Sequence, residues 1–289
     1  MPSPPSFDLQ AHSLHSDGAL APAQVVERAA SAGIELLALT DHDSVAGVRE
    51  AREAGARIEV NVVPAVEISS SGPGGRELHM LGYLIDVDNP QLAERLAGAR
   101  ASRERRAEQM IERLAALGLE LDPATLGRRG DDAIGRPHIA AAVLACPANA
   151  RRLSAEGLGD LSAVLKAYLI PGAPAFVSRM LPSAAEAIGW VHEAGGVAVW
   201  AHPCFDLDDP VAATRVLEQL AAAGLDGTEV FYITHSREQT ELLDARSDAL
   251  DLLKTGSADF HGPDHPRFHS FGAFERYGLE PRLGPIAAP

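Results

Sequence analysis

The sequence predicts an α/β fold in which helices connect the strands of a parallel sheet. Patterns typical of strands and helices alternate over the first 90 residues, and this alternation favours parallel strands. Residues 91–166 show helical periodicity instead, and the alternation then resumes. We therefore assign residues 1–90 and 167–289 to one α/β domain and residues 91–166 to a helical insertion.

The first third contains four predicted strands and two predicted helices. Pro22 marks the opening of the first helix, because proline is tolerated in the first helical turn, and residues 58–66 are apolar and β-branched, as in a buried strand. In chain order, the elements are a strand at 6–11, a helix at 22–32, a strand at 34–39, a helix at 45–56 and strands at 58–66 and 77–85.

Three more strands are predicted after the insertion, which gives about seven in total. The elements are a helix at 183–194, a strand at 197–201, a helix at 211–223, a strand at 227–232, a helix from 236 to about 250 and a strand at 252–256. The tail from Tyr277 contains several prolines and no periodicity. We expect a surface strap or a loose segment there.

Composition and charge exclude several classes of protein. The formal net charge of −15 disfavours binding to long nucleic acid, which needs many basic side chains, whereas small phosphorylated ligands or short strands remain compatible with it. Only Cys146 and Cys204 are present, so we expect no disulfide framework, no thiolate zinc site and a reducing, cytoplasmic location. No leader or membrane-spanning run is evident, and we predict no membrane association and no obligate protein partner.

Potential metal ligands lie near the ends of several predicted strands. Parallel β/α folds build active sites at the carboxyl ends of their strands, so distant residues can converge on one pocket. The residues with this placement are Gln10, His12, Asp17, Asp41, His42, Glu67, His79, His202, Asp259 and His261. A single such histidine is more often a structural hydrogen-bonding group, and Asp17 or Asp41 alone could be a helix cap or a turn residue. Taken together, the residues predict a metal centre.

The donor types indicate the chemistry of this centre. Imidazole and carboxylate groups without nearby cysteine suit Mn²⁺, Fe²⁺ or Zn²⁺. Two such ions can clamp a phosphoryl group, polarise its oxygens and activate a bound water. We therefore predict hydrolysis of phosphoesters.

Seven segments of the chain resemble one known family, the polymerase and histidinol phosphatase (PHP) family. The segments are DLQAHSLHSDG (8–18), LTDHDSVAG (39–47), PAVEIS (64–69), HMLGYLID (79–86), GRPHIA (135–140), AHP (201–203) and GSADFHG (256–262). With YLIPGAPAFVS (168–178), they look more narrowly like the branch of nucleoside 3′,5′-bisphosphate phosphatases and 5′ to 3′ exoribonucleases. The resemblance implies a distorted (β/α)7 TIM-like barrel and a trinuclear centre that usually contains manganese.

Carried over residue by residue, the resemblance implies three sets of ligands. These are His12 with Asp259, then Glu67 bridging to an ion held by His79 and His202, and finally Asp17 with His42 and His261. It also implies four catalytic residues, of which Asp41 orients its neighbour or acts as an acid or base; the four are Asp41, His42, Glu67 and His202. Arg136 and His138 are expected to bind a substrate phosphate, so that the insertion contributes to substrate binding, and Ser178 and Arg179 are weaker candidates for the same role.

Gln10 departs from the family pattern, because it stands where the first histidine of an H-x-H motif is expected. An amide oxygen can coordinate a hard cation weakly, but it is seldom a ligand of Zn²⁺ or Mn²⁺. The ion shared by His12 and Asp259 could therefore be lost, exchanged or only weakened. His15 could substitute for the missing ligand, although a surface position in a loop is the simpler interpretation.

The resulting prediction is a metal-dependent phosphoesterase with two or three divalent ions, with Mn²⁺ first and Zn²⁺, Fe²⁺ or Mg²⁺ as alternatives. The expected substrate is a small phosphorylated nucleotide, whose 3′-phosphate is removed from a nucleoside 3′,5′-bisphosphate. One alternative is a 5′ to 3′ exoribonuclease that acts on short 5′-phosphorylated RNA. The other is a barrel with an impaired metal site that binds phosphorylated ligands without hydrolysing them.

Overall fold

The structure is a computed structural model that describes residues 6–121, 126, 134–207 and 209–287. The chain forms two compact units. Met1–Ala97 and Leu181–Pro289 make up the first, and Gly98–Met180 makes up the second. The functional division into a domain of residues 1–90 and 167–289 and an insertion of residues 91–166, part of which lies outside the described residues, stays a prediction.

The first unit contains one sheet of seven strands in chain order. The strands are β1 (Phe7–Asp8), β2 (Leu36–Leu39), β3 (Asn61–Ser71), β4 (Glu77–Tyr83), β5 (Val197–Trp200), β6 (Gly227–Tyr232) and β7 (Leu253–Ser257). The sheet nearly closes into a barrel, since the Leu9 amide donates to the Gly256 carbonyl over 3.2 Å and Ala11 pairs with Phe260. The predicted distorted (β/α)7 TIM-like barrel is confirmed.

Strand β4 runs antiparallel to both of its neighbours, whereas the other adjacent pairs are parallel. The prediction of a parallel sheet is therefore wrong at β4. The cause is the tight return between β3 and β4, where the Gly72 amide donates to the Arg76 carbonyl over 2.7 Å. Because β4 is reversed, its first residues lie at the edge where the parallel strands end.

Helices cover the outer face of the barrel. They are α1 (Pro22–Ser31), α2 (Val48–Ile58), α7 (Ala184–Glu193), α9 (Pro210–Ala222) and α10 (Arg237–Ala249), while the short α8 (Pro203–Asp206) directly follows β5 at the edge where the parallel strands end. Their starts follow capping rules: the side chains of Ser183 and Glu186 form a capping box at α7, and Asp209 caps α9. Helix α3 (Pro90–Ala116) includes residues of both units.

The barrel interior alternates along each strand, and this alternation aims the polar residues at the centre. On β3, Val63 and Ala65 belong to the interior core, and Glu67 follows with the same two-residue period. On β4, Tyr83 and Leu81 are interior, and His79 continues that face toward the start of the strand. Each interior face therefore changes from apolar to ligand-type side chains at one edge of the sheet.

The C-terminal segment packs into the apolar part of the barrel interior, away from the ligand-type side chains. Leu283 and Ile286 are buried with the interior side chains, and Arg282 pairs with Lys254 across an antiparallel bridge. The prediction of a surface strap or a loose segment from Tyr277 onward is wrong for this part. The two apolar side chains have an apolar cavity to fill, which the proline content of the segment does not indicate.

Helices are the regular secondary structure of the second unit among the residues that the structure describes. It contains α4 (Arg136–Ala145), α5 (Ala150–Ala155), α6 (Leu161–Val164) and a wider helical turn at Leu165–Leu169, besides part of α3. Its apolar core includes Met110, Ile139 and Leu169. Among the described residues, no helix combines the length and the apolar character that crossing a bilayer requires.

Candidate metal centre

Strand pairing brings the central residues side by side. His42, which follows β2, forms a parallel bridge with Glu67 on β3, and the Asp43 amide donates to the Glu67 carbonyl over 2.7 Å. His79 on β4 is in register with Ser69, two residues beyond Glu67. Three side chains from sequence-distant segments are thus placed at one edge of the barrel.

Glu67 lies at the middle of the centre and is fully buried. Four imidazole nitrogens contact its carboxylate: His12 Nε2 at 3.2 Å and His42 Nδ1 at 3.4 Å from Oε2, and His79 Nδ1 at 2.8 Å and His202 Nε2 at 3.2 Å from Oε1. Burial alone would raise the pKa of Glu67, but His42 and His79 hold it well below its usual range. The carboxylate is therefore charged, and each of its two oxygens can bind a different cation.

Two further carboxylates complete the arrangement. Asp259 Oδ1 lies 3.1 Å from His12 Nε2 on the buried side. On the more open side, Asp17 Oδ2 lies 3.6 Å from His42 Nε2, and Asp17 Oδ1 lies 3.4 Å from His261 Nε2. The structure thus brings together the members of all three predicted ligand sets. That each set holds an ion stays a prediction.

The geometry of these atoms fits divalent ions. Ligand atoms about 2.1 Å from an ion lie about 3.0 to 3.4 Å apart around it, which is close to the spacings observed here. Groups able to hold an ion are His12, Asp17, His42 and His261 in one set and His42, Glu67 and His79 in another. Within the described part of the chain, His12 Nε2 and Asp259 Oδ1 are buried without a hydrogen bond. Buried polar atoms of this kind are expected where a ligand is to be bound.

Metal binding at this centre would be coupled to proton release. Burial lowers the pKa of His12, but the carboxylates of Asp259 and Glu67 raise it well above its usual value. Without an ion, these carboxylates favour the protonated form of His12. Because a histidine ligand must be neutral, an ion displaces that proton when it binds.

Backbone strain and buried hydrogen bonds position two of the residues. His202 and Asp259 both adopt left-handed backbone conformations, with φ values of 34° and 56°. Such conformations cost of order 1 to 3 kcal/mol each and persist only where the surroundings enforce them. Here the His202 amide donates to Glu229 Oε2 over 2.8 Å, and burial raises the pKa of Glu229 to about 8.

Glu229 was not found from the sequence, and neither were two further supporting residues. Asp206 Oδ2 lies 3.3 Å from Nδ1 of His202, and the hydroxyl of Tyr232 donates to Asp259 Oδ2 over 2.8 Å. Partners of this kind orient metal ligands and raise their basicity. The spacing of four residues between His202 and Asp206 is a signal that could have identified the first pair, whereas no sequence pattern links Tyr232 with Asp259.

Asp41 holds the loop that carries the predicted ligands His12 and Asp17. Its Oδ1 accepts hydrogen bonds from the Ser13 amide and the Ser16 hydroxyl, each over 2.7 Å, and its Oδ2 accepts one from the Ser13 hydroxyl over 2.7 Å. Ser16 Oγ in turn lies 3.3 Å from His12 Nδ1. These contacts favour the orienting role for Asp41, and an acid or base role stays a prediction.

Gln10 is fully buried beside Glu67. Its Nε2 donates to Glu67 Oε2 over 3.1 Å, while its Oε1 lies 3.3 Å from the hydroxyl of Ser257. The amide nitrogen thus faces the centre in this structure, and a ligand role for Gln10 stays a prediction. The same holds for His15, whose amide donates to Ser13 Oγ over 3.1 Å.

The four predicted phosphate-binding residues lie in the second unit. Arg136 begins α4, and Nδ1 of His138 accepts a hydrogen bond from the Gly135 amide over 3.1 Å. Ser178 is exposed, and Arg179 donates to the Ala99 carbonyl over 2.8 Å. The substrate role of all four stays a prediction.

Comparison with known proteins places these features in context. A model of the PHP domain matches residues 8–86. A 3′,5′-nucleoside bisphosphate phosphatase from Chromobacterium violaceum is 37% identical over 262 residues, which cover 89% of this chain and 88% of that protein. The 5′-3′ exoribonuclease Rnm from Escherichia coli is 32% identical over 261 residues, which cover 89% of this chain and 85% of that protein.

A solved structure shows the same architecture. It is an amidohydrolase from Chromobacterium violaceum with bound sulfate, 33% identical to this chain, and it superposes with a TM-score of 0.79. The match covers 92% of this chain and 90% of the other. The similarity therefore extends through both the barrel and the helical unit.

Proposed function

The chain belongs to the PHP family and is a metal-dependent phosphoesterase, and from this premise we propose that it removes the 3′-phosphate from nucleoside 3′,5′-bisphosphates. One observation carries the proposal: four imidazoles converge on the buried carboxylate of Glu67, with Asp17 and Asp259 on either side. The 37% identity with a bisphosphate phosphatase supports this substrate over other phosphoesters.

Two or three divalent ions, with Mn²⁺ as the first choice, would be held by the three ligand sets. The ligands in this proposal are His12, Asp17, His42, Glu67, His79, His202, Asp259 and His261. When bound, such ions polarise the phosphoryl oxygens and provide an activated water at neutral pH. The imidazole and carboxylate donors of the centre suit Mn²⁺, Zn²⁺ or Fe²⁺.

The chain's own residues hold this arrangement in place. Asp206 and the Glu229 carboxylate hold the His202 ring and backbone, and Tyr232 holds the Asp259 carboxylate. Because these partners are buried or partly buried, the ligand atoms keep their positions before an ion or a substrate arrives. The Asp17 side chain is one-third exposed, so the centre is open to a ligand on that side.

A second candidate is 5′ to 3′ exoribonuclease activity on short 5′-phosphorylated RNA. The E. coli exoribonuclease covers as much of this chain as the phosphatase does, at slightly lower identity. The net charge of −15 favours short strands over long ones. The alternative of a binding barrel without turnover rests on Gln10 alone, and the membership of the chain in a phosphoesterase family counts against it. Manganese as the resident ion and a cytoplasmic location are predictions from the sequence.

The test is phosphate release from adenosine 3′,5′-bisphosphate by protein loaded with Mn²⁺, with the bound metal counted in the same sample. Release with two or three bound ions supports the proposal. Shortening of a 5′-phosphorylated RNA oligomer alone would favour the exoribonuclease, and a fully loaded protein that acts on neither would overturn both substrates. If the sample holds zero or one ion and releases no phosphate, the result would favour the binding barrel.

Two variants test the centre itself. Glu67→Gln keeps the size of the side chain but removes its charge, so metal content and phosphate release should both fall sharply. Glu53→Gln changes an exposed carboxylate on α2 and is the matched control. If Glu67→Gln retained both its ions and its activity, the central role of this carboxylate would be wrong.

A further inference from the structure

Phe205 is an exposed aromatic side chain beside the metal centre. Its relative exposure is 44%, and it is the only aromatic residue among the large exposed apolar side chains of the part of the chain that the structure describes. Its ring centroid lies 5.7 Å from that of His202, with the two rings nearly perpendicular. The exposed ring therefore presents an apolar face to a ligand that binds beside the candidate centre.

The ring is held in place by its surroundings. Phe205 lies on α8, whose first turn is closed by a hydrogen bond from the Phe205 amide to the His202 carbonyl over 2.9 Å. Arg76 donates to the Asp206 carbonyl over 2.9 Å, and the Cys204 amide donates to Nε2 of His235 over 3.2 Å. Three contacts therefore anchor a helix of only four residues, and ligand binding need not order it first.

Further aromatic rings extend the surface. The Phe205 centroid lies 6.0 Å from that of the buried Tyr232 and 6.1 Å from that of Phe268, both in edge-to-face arrangements. Phe268 in turn stacks on His265 at 5.0 Å and lies 5.4 Å from the ring of the proposed ligand His261. A continuous aromatic wall thus adjoins the centre from His202 to His261.

We propose that Phe205, with Phe268 beside it, is the stacking surface for the base of the substrate. This inference rests on the proposed function, because the phosphate that reacts must lie at the metal centre. A base attached to that phosphate through one ribose is a planar aromatic ring with an apolar face, and Phe205 offers it a rigid, partly open ring near the centre. Stacking on an aromatic face is tolerant of sequence because every base has a π-face.

The same wall explains how the site could bind nucleotides in general. Hydrogen-bonding side chains discriminate between bases, whereas the affinity of a base for a phenylalanine ring depends mainly on the area over which the two rings stack. We therefore expect purine nucleotides to bind somewhat better than pyrimidine nucleotides and neither class to be excluded. The ring should increase the affinity for nucleotides relative to phosphoesters that have no base.

The experiment compares two substrates in the Mn²⁺-loaded protein: adenosine 3′,5′-bisphosphate and the corresponding sugar bisphosphate without a base. The measured quantity is kcat/KM for the nucleotide divided by kcat/KM for the sugar bisphosphate. In Phe205→Leu, which keeps apolar volume but removes the aromatic face, this ratio should fall about tenfold, mainly through KM for the nucleotide. Phe205→Trp should restore the ratio. An unchanged ratio in Phe205→Leu would overturn the proposal.

The control variant is Ile58→Ala. Ile58 is also an exposed apolar residue of the first unit, but it ends α2, just before the start of β3 and therefore at the edge of the sheet away from the centre. This variant should keep the wild-type ratio. Bound metal is counted in every variant, so that a disturbed centre is distinguished from a lost base contact.

The two proposals fail in different ways. If the wild type hydrolyses neither bisphosphate, the proposed function is wrong, and the aromatic wall is tested by equilibrium binding of adenosine 5′-monophosphate and ribose 5-phosphate. Preferential binding of the nucleotide that is lost in Phe205→Leu would still support the stacking surface. Equal binding of the two ligands by the wild type would overturn it, whether or not the protein is a phosphatase.

Discussion

Replacing His235 should remove a pH-dependent part of the stability of the barrel. His235 is buried beside α8, where its Nε2 accepts a hydrogen bond from the Cys204 amide over 3.2 Å and its Nδ1 lies 3.1 Å from the Val230 carbonyl. The ring therefore acts as an acceptor on one side and a donor on the other. Only the neutral form of imidazole can do both.

The size of the effect follows from the pKa of this histidine. Burial lowers the pKa of His235 from 6.5 to about 4. Between these values the unfolded chain takes up a proton that the folded chain does not, so stability is lost as pH falls below about 6.5. At 1.36 kcal/mol per pKa unit, the loss is about 2 kcal/mol at pH 5 and about 3.4 kcal/mol below pH 4.

The assay is urea unfolding of wild type and His235→Gln, both free of metal, at pH 7.5 and pH 5. Trp190 and Trp200 are the only tryptophans of the chain and both lie in the first unit, so their fluorescence reports the unfolding of that unit. The other titrating groups are common to both proteins and cancel in the difference between their unfolding free energies. His192→Gln, which replaces an exposed histidine, is the matched control.

Between pH 7.5 and pH 5, the free energy of unfolding of the wild type should fall by about 2 kcal/mol more than that of His235→Gln. A difference that stays constant over this interval would refute the reasoning, because it would mean that His235 accepts a proton equally in the folded and unfolded chain. A shift of the same size in the His192→Gln control would also remove the assignment to His235.

Three further predictions concern the metal centre. Gln10→His should change kcat/KM by less than tenfold, because the Gln10 amide is already hydrogen-bonded on both sides. The measurement is steady-state kinetics with the bound metal counted in the same sample. A gain of tenfold or more would mean that the centre lacks a needed imidazole. Asp41→Asn should weaken Mn²⁺ binding about tenfold in a metal titration, because it disturbs the loop that carries His12; unchanged affinity would exclude that role. Tyr232→Phe should weaken Mn²⁺ binding by about 10- to 100-fold, because it removes the hydrogen bond to Asp259. The control is Tyr83→Phe, which loses a hydrogen bond to the Leu9 carbonyl and should leave Mn²⁺ binding unchanged. Equal effects of the two variants would contradict a specific role for Tyr232.

The barrel could be predicted because its signals are local. Start signals are present at Pro22 for α1 and at Ser183 for α7, and the predicted bounds of the longer helices α1, α2, α7, α9 and α10 agree with the observed ones to within a few residues, whereas the four-residue α8 was not predicted. The direction of β4 could also have been anticipated. Gly72-Pro73-Gly74-Gly75 separates two strand-like stretches, and such a run is typical of a hairpin rather than a helical crossover.

The residues of the candidate centre could be predicted from the sequence, but the side chains that support them could not. His79 and Glu67 stand out in sequence because charged or ionisable groups interrupt an apolar strand pattern. Tyr232 and Asp259 are 27 residues apart and meet only because β6 and β7 are adjacent in the barrel. Contacts of this kind depend on register and strand order, which no local pattern specifies.

The C-terminal segment illustrates the same limit in the core. Its prolines correctly indicate the absence of a long helix or strand, but they say nothing about burial. Leu283 and Ile286 are buried because the barrel interior leaves room for them, and that room exists only after the seven strands have closed. Burial here is a property of the assembled barrel rather than of the segment.

The closure of the barrel has a consequence for how the chain folds during synthesis. Gln10 and Ser257, which meet beside Glu67, are 247 residues apart in sequence, and contacts of such separation form slowly. A nascent chain that has emerged only as far as β4 contains Glu67, His42 and His79 but lacks Asp259 and His261. Ions would therefore bind at full affinity only after the last strand has joined the first, and by mass action they would stabilise the finished barrel over every partly folded chain.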